Sequence, residues 1–196
     1  MNQTNPDDFA FLSLAFRQRY IRRWSLMRSQ TEEDLAQHSS QVALIAHALA
    51  LIGNRLFGKH YSPERAATLA LFHDIPEVFT GDLPTPVKYS SPQMRADYRQ
   101  IEEKAVVQML DRIPDSLRED YRPLLEEVDE PERVLVKTAD RLCAYIKCLD
   151  EIEGGNREFV SAKASIEASL QQYASPELDY FTSHCLPFFT KTLDEI

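Results

Sequence analysis

The chain has 196 residues, 43% of them hydrophobic and 27% charged, with a formal net charge of −9. That length fits one domain, residues 1–196, able to bury a core without disulfide staples, and the acidic balance argues against binding a nucleic-acid polymer, which needs an extended cationic surface. No apolar run approaches the length of a membrane span, and residues 1–8 lack the basic and apolar regions of a secretory signal, so a cytoplasmic protein without a membrane partner is expected.

Nearly every segment reads with helical period. From about Asp8 to Tyr20, Phe9, Leu12, Phe16 and Tyr20 are spaced to share one face, and the run leads into Arg22-Arg23-Trp24. A second helix, about Leu35 to Ile52, puts His38 on the stripe of Val42, Ile45, Leu49 and Ile52, with Gly53 signalling its end. Ser62 and Pro63 open a third as N-cap and first helical residue. It carries His73 and Asp74, with Glu77 before or just after its end, because Pro76 disfavours helical geometry at Ile75.

Gly81 to Lys88, with prolines at 84 and 86, reads as a loop. A fourth helix starts at Ser91-Pro92 and runs to about Arg112, with Met94, Tyr98, Ile101, Ala105 and Met109 as its apolar face. One or two short helices follow between Asp115 and Val128, broken by Pro123. A fifth long helix starts at Pro131 and ends at Gly154-Gly155, with Leu135, Ala139, Leu142, Ile146 and Leu149 inward and Val136, Asp140, Cys143 and Lys147 on the neighbouring stripe. The last helices cover about Asn156 to Tyr173 and Pro176 to Cys185. No period-two strand appears, so the architecture is predicted to be a single-domain all-α bundle. Cys143, Cys148 and Cys185 form no Cys-x-x-Cys pair and read as reduced, semi-buried side chains.

The chemistry lies in His38, His73-Asp74 and Asp140. Imidazole nitrogen and carboxylate oxygen suit a divalent cation, and adjacent ligand types inside an apolar helical run are costly unless something binds them. Such a set, on three helices, points to a metal-dependent hydrolase. Asp129 and Asp150 compete for the fourth place, but Asp140 alone sits mid-helix beside Ala139 and Leu142. Glu77 follows His73 by one helical turn, close enough to approach water at the cation without being a ligand. Arg23 offers a planar fork for phosphate oxygens and Lys88 a second cation.

These residues, with Glu33-Asp34-Leu35-Ala36-Gln37-His38, the run His73 to Tyr89 containing Gly81-Asp82-Leu83-Pro84-Thr85-Pro86-Val87-Lys88, and Asp140 to Leu149, resemble the HD-domain metal-dependent phosphohydrolases. Within that superfamily they are most similar to the bacterial 5'-deoxynucleotidases of the YfbR type, over nearly the whole chain. The resemblance implies hydrolysis of deoxyribonucleoside 5'-monophosphates to deoxyribonucleoside and phosphate by attack of metal-bound water, in a homodimer. It implies one Co, Mn or Cu ion, with Zn, Fe and Ni as alternatives, on His38, His73, Asp74 and Asp140. By the same resemblance Glu77 orients or deprotonates the water and Asp82 is a catalytic or sugar-contacting acid. Arg23 contacts phosphate and Trp24 crowds the sugar 2' position; independently of the resemblance, His38 and Lys88 are also expected to face substrate. Ile75-Pro76 stands where the family is expected to carry smaller residues, which leaves the orientation of Glu77 open.

Competing readings are a cyclic nucleotide phosphodiesterase or dNTP hydrolase of the same superfamily, and a non-catalytic nucleotide-binding helical module. In the last case His73-Asp74 is a helix-end ion pair, Arg23 an exposed base and Trp24 a core anchor.

Overall fold

The computed structural model describes residues 7–88 and 90–196; the first six residues of the amino-terminal stretch and Tyr89 of the Pro-rich motif lie outside them. The described residues are all-α: ten α-helices, short 3-10 turns and no strand, apart from an isolated antiparallel bridge between Arg22 and Asp34. They form two compact units. The first takes the described residues of Met1–Leu26, Glu33–Gln37 and Phe72–Val128, and the second takes Met27–Glu32, His38–Leu71 and Asp129–Ile196.

In the first unit, α1 is only Phe11–Ala15, followed by a 3-10 turn over Phe16–Tyr20. The expected continuous face is therefore wrong: Leu12, Phe16 and Tyr20 are exposed and Phe11 is buried. A 3-10 turn repeats every three residues, so the 3.6-residue spacing of the sequence no longer describes one side of the segment. Phe11 instead joins Ile75, Val106, Met109, Leu110, Ile113 and Leu125 in a core cluster. Its ring stacks on Phe72 at 6.2 Å and meets Tyr121 edge-on at 5.3 Å. Burial of side chains this size stabilises by about 1.5–3 kcal/mol each, and the cluster fixes both flanks of His73-Asp74 through Phe72 and Ile75.

Helix α3, Pro63–Phe72, stops one residue before His73. Pro76 has no N–H for the Phe72 carbonyl and its ring would crowd that oxygen. The Ile75 N–H takes the carbonyl instead, at 3.3 Å. Residues 73–76 are thus a turn rather than the helical interior expected, and Glu77 opens the short helix α4, Glu77–Thr80. Gly81 closes α4 at φ 71 and ψ 163, a conformation that favours glycine. The expected Pro-rich loop contains a further helical turn, α5, Thr85–Lys88, in which the Val87 and Lys88 N–H groups both donate to the Pro84 carbonyl. Pro84 and Pro86 cannot donate, but at the start of a turn no donor is required of them.

Helix α6, Pro92–Leu110, is capped by the Ser91 hydroxyl, which accepts from the Met94 N–H. Ile101 is exposed, contrary to its predicted place on the apolar face, and Val106 and Leu110 are buried in addition. Helix α7, Asp115–Leu125, includes Pro123 instead of breaking there. The helix ends two residues later, so the proline forfeits a single terminal bond.

The second unit holds all but the first three residues of α2, Leu35–Leu56, which continues through Gly53. By length and composition alone α2 could cross a membrane, which corrects the expectation that no run approaches that length. Val42, Ala46, Leu49 and Ala50 are fully buried, as in a core helix. The start of α3 is tied to that of α8, Pro131–Glu153: Arg65 forks onto Glu130 at 2.9 and 3.0 Å, and the Ser62 N–H donates to Glu132 at 2.8 Å. Helix α8 packs on α9, Val160–Leu170, and its buried face is wider than predicted, taking in Val136, Cys143 and Lys147. Lys147 is accommodated because its ammonium donates to Glu151 at 2.5 Å and to the Thr31 carbonyl at 2.6 Å. In α10, Pro176–His184, Phe181 is buried, while Phe188 and Phe189 beyond it are exposed. All three cysteines are free, with Cys185 less buried than the other two.

Candidate active site

The sequence-predicted residues fall into two sets. In the first unit, the turn after α3 presents His73 and Asp74, with His73 Nε2 3.0 Å from Asp74 Oδ2. Glu77 follows on α4, its N–H donating to the Asp74 carbonyl at 3.0 Å. The Pro76 break therefore starts α4 at Glu77, with its backbone bonded to that of Asp74.

Glu77 is buried, and its Oε2 has no hydrogen-bond partner. Burial, then the like charges of Asp74 and Asp82, push its carboxyl up to about 10, against a smaller opposite pull from Arg23 and Lys88. These influences also place Asp82, half-buried in the stretch between α4 and α5, within electrostatic reach of Glu77.

Arg23 and Trp24 lie beyond the 3-10 turn, where the chain pairs with itself: the Arg23 N–H donates to the Glu33 carbonyl and the Leu35 N–H to the Ile21 carbonyl, each at 3.0 Å. Arg23 Nη1 lies 3.8 Å from Asp74 Oδ2 and its Nε 3.4 Å from Glu33 Oε2. The Trp24 indole N–H donates to the same Glu33 oxygen at 2.6 Å. Trp24 has φ 58, a left-handed conformation that a bulky residue holds only when its surroundings over-determine it, at about 1–3 kcal/mol.

Glu33 was missed as a site residue in the sequence. It lies ten residues from Arg23 with no helical spacing to announce it, and the two-residue bridge that joins them leaves no periodic trace. Lys88 also differs from expectation: its ammonium donates to Glu102 at 2.8 Å and sits 4.3 Å from the centre of the Tyr98 ring. Both partners are on α6, so the charge offered to phosphate is already partly balanced.

In the second unit, His38 and Asp140 meet. His38 is fully buried near the start of α2, and its Nε2 lies 3.1 Å from Asp140 Oδ1 on α8. Asp129 and Asp150, the competing acids, are exposed.

Comparison with known proteins decides the family. The model of the YfbR-like 5'-deoxynucleotidases matches residues 10–189. A 5'-deoxynucleotidase of Vibrio vulnificus strain YJ016 is 46% identical over 188 residues, covering 95% of this chain and 97% of its own. The chain belongs to the YfbR-like 5'-deoxynucleotidase family. A further member, the 5'-deoxynucleotidase of Yersinia pestis strain Pestoides F, is 48% identical over 190 residues, covering 96% of this chain and 95% of its own. Among solved structures, an HD-domain phosphohydrolase of Listeria innocua superposes with a TM-score of 0.81 at 26% identity, covering 91% of this YfbR-like chain and 87% of its own. The HD phosphohydrolase of cyanophage S-2L, bound to dA and one catalytic zinc ion, shares the fold with a TM-score of 0.66 at 18% identity, covering 98% and 99% of the two chains.

Proposed function

We infer that this YfbR-like protein is a metal-dependent phosphomonoesterase, a 5'-deoxynucleotidase that hydrolyses deoxyribonucleoside 5'-monophosphates to deoxyribonucleoside and inorganic phosphate. The whole-chain likeness to 5'-deoxynucleotidases carries the reading.

His38, His73, Asp74 and Asp140 would hold one divalent cation. Their donor chemistry supports this, since two imidazoles and two carboxylates suit first-row divalent ions. Glu77 supports it as well: it is a buried carboxyl raised by burial and by the neighbouring acids Asp74 and Asp82, an arrangement typical of functional sites. When bound, the cation polarises the phosphate and lowers the pKa of water. Glu77 would take the proton of the attacking water. Arg23 balances charge on the phosphate oxygens and Trp24 fills the room that a ribose 2'-hydroxyl would need. Asp82 acts as a catalytic or sugar-contacting acid, and Lys88 adds a weaker cationic contribution. The same reading makes residues 1–196 one catalytic domain of a cytoplasmic homodimer that uses Co, Mn or Cu.

Product analysis tests this. Metal-loaded protein given dAMP, a cyclic nucleotide and dATP should release inorganic phosphate from dAMP. Turnover of the cyclic nucleotide or the triphosphate without phosphate release from dAMP would move the activity to another branch of the HD phosphohydrolases.

A further inference from the structure

We propose that Glu33 is a positioning residue for sugar discrimination, setting Trp24 and Arg23 together through one carboxylate. The inference rests on the roles given above to Trp24 and Arg23 and goes beyond them by assigning what holds both.

An indole has a single hydrogen-bond donor, so the partner of that N–H fixes the edge from which the ring projects. For Trp24 the partner is Glu33 Oε2, at 2.6 Å. The same oxygen lies 3.4 Å from Arg23 Nε, an ion-pair distance without a hydrogen bond, and Arg23 Nη1 lies 3.8 Å from Asp74 Oδ2. One carboxylate oxygen thus accepts from the group assigned to the sugar and lies within ion-pair reach of the group assigned to the phosphate.

The backbone holds the acceptor in place. The Glu33 carbonyl takes the Arg23 N–H at 3.0 Å, and the Arg22–Asp34 bridge continues the pairing, so Glu33 stays in register with the two side chains it serves. Glu33 is itself buried, which limits competition from water. At φ 58 the Trp24 backbone is in a region a bulky residue leaves unless tethered, and the Glu33 bond is such a tether. Loss of the carboxylate should therefore loosen the indole while leaving the ring's bulk present. Bulk without orientation does not exclude a hydroxyl.

The test compares Glu33→Ala and Glu33→Gln with wild type, full-length and loaded with Mn, by kcat/KM on dAMP and AMP. Trp24 is the sole tryptophan, so quenching of intrinsic emission by acrylamide reports on it alone. Glu33→Ala should lower the deoxy-to-ribo ratio at least tenfold and increase quenching. Glu33→Gln, whose amide oxygen still accepts the indole N–H, should keep the ratio within threefold of wild type. A folded Glu33→Ala with a ratio within twofold of wild type overturns the proposal. If Glu33→Ala fails to fold, Trp24→Phe removes the donor and retains a ring; a fall of at least threefold supports the proposal and an unchanged ratio overturns it. Absence of sugar preference in wild type would overturn the sugar reading itself and this inference with it. Preference in wild type that Trp24→Ala abolishes and Glu33→Ala leaves intact overturns this inference alone.

Discussion

His38 Nε2 stands 3.1 Å from Asp140 Oδ1, with the imidazole fully buried and the carboxylate side chain 24% exposed. The two residues lie 102 positions apart, and α2 and α8 bring them together with donor atoms of the kind a divalent ion takes. Replacing Asp140 by Ala should lower metal affinity by about 100-fold or more, the upper end of what even an outer partner of a metal ligand contributes. Titration against a competing chelator measures it. Unaltered metal uptake would remove Asp140 from the ligand set.

Glu77 separates binding from chemistry. Glu77→Gln keeps the shape of the side chain and its place on α4 but cannot accept a proton, so metal content should stay at the wild-type level while kcat falls by about 10²–10⁴-fold. Metal analysis and steady-state rates on the same preparation check this. A fall in metal content that accounts for the whole rate loss would contradict the assigned role.

Acid stability should depend on Glu151. Burial by itself would raise this carboxyl, but the Gln30 N–H, Lys147, Asn156 and the Thr31 N–H outweigh it and hold the group at about 2, against an ordinary value of 4.5. A lowered folded-state pKa gives stability that is present above the unfolded value and lost as pH falls from there toward the folded value. Urea denaturation should find wild type more stable than Glu151→Gln at about pH 6, with the gap narrowing progressively below about pH 4.5. A gap that is constant with pH would mean that the ionised carboxylate is not what stabilises the loop at Gln30 and Thr31.

Gly81 tests the turn after Glu77. An added Cβ would meet nothing within 4 Å, so any cost of Gly81→Ala comes from the backbone at φ 71. Destabilisation of about 1–3 kcal/mol is expected from such a conformation, read as a lower urea midpoint. Because the Gly81 N–H donates to the Glu77 carbonyl at 2.7 Å, kcat should fall as well. A variant as stable and active as wild type would show that this turn relaxes freely.

Periodicity made the helical class, the buried stripe of His38 and the half-buried place of Asp140 against the exposed Asp129 and Asp150 legible in the sequence, because each is set by which side of a regular helix faces the core. It failed where the backbone departs from that period. Phe11 took the place expected of Leu12 and Phe16 once the segment tightened into a 3-10 turn. Local preference makes Gly53 and Pro123 terminators, yet α2 continues through the one and α7 contains the other. Pro76 did signal a break, but its consequence, a turn that places Glu77 against Asp74, depends on which carbonyl the proline leaves unserved. Glu33 and the Lys88–Glu102 pair were invisible for a different reason: each is a contact between segments, and only the assembled fold chooses the partner.

Metal-dependent removal of the 5'-phosphate from deoxynucleotides is tested most directly by phosphate release from dAMP and AMP by wild type and Trp24→Ala, with added Mn or Co and with chelator. Release from dAMP that needs the metal, little release from AMP, and gain of AMP hydrolysis in Trp24→Ala are predicted. Equal use of both sugars by wild type, or no release from dAMP by fully metal-loaded protein, would contradict it.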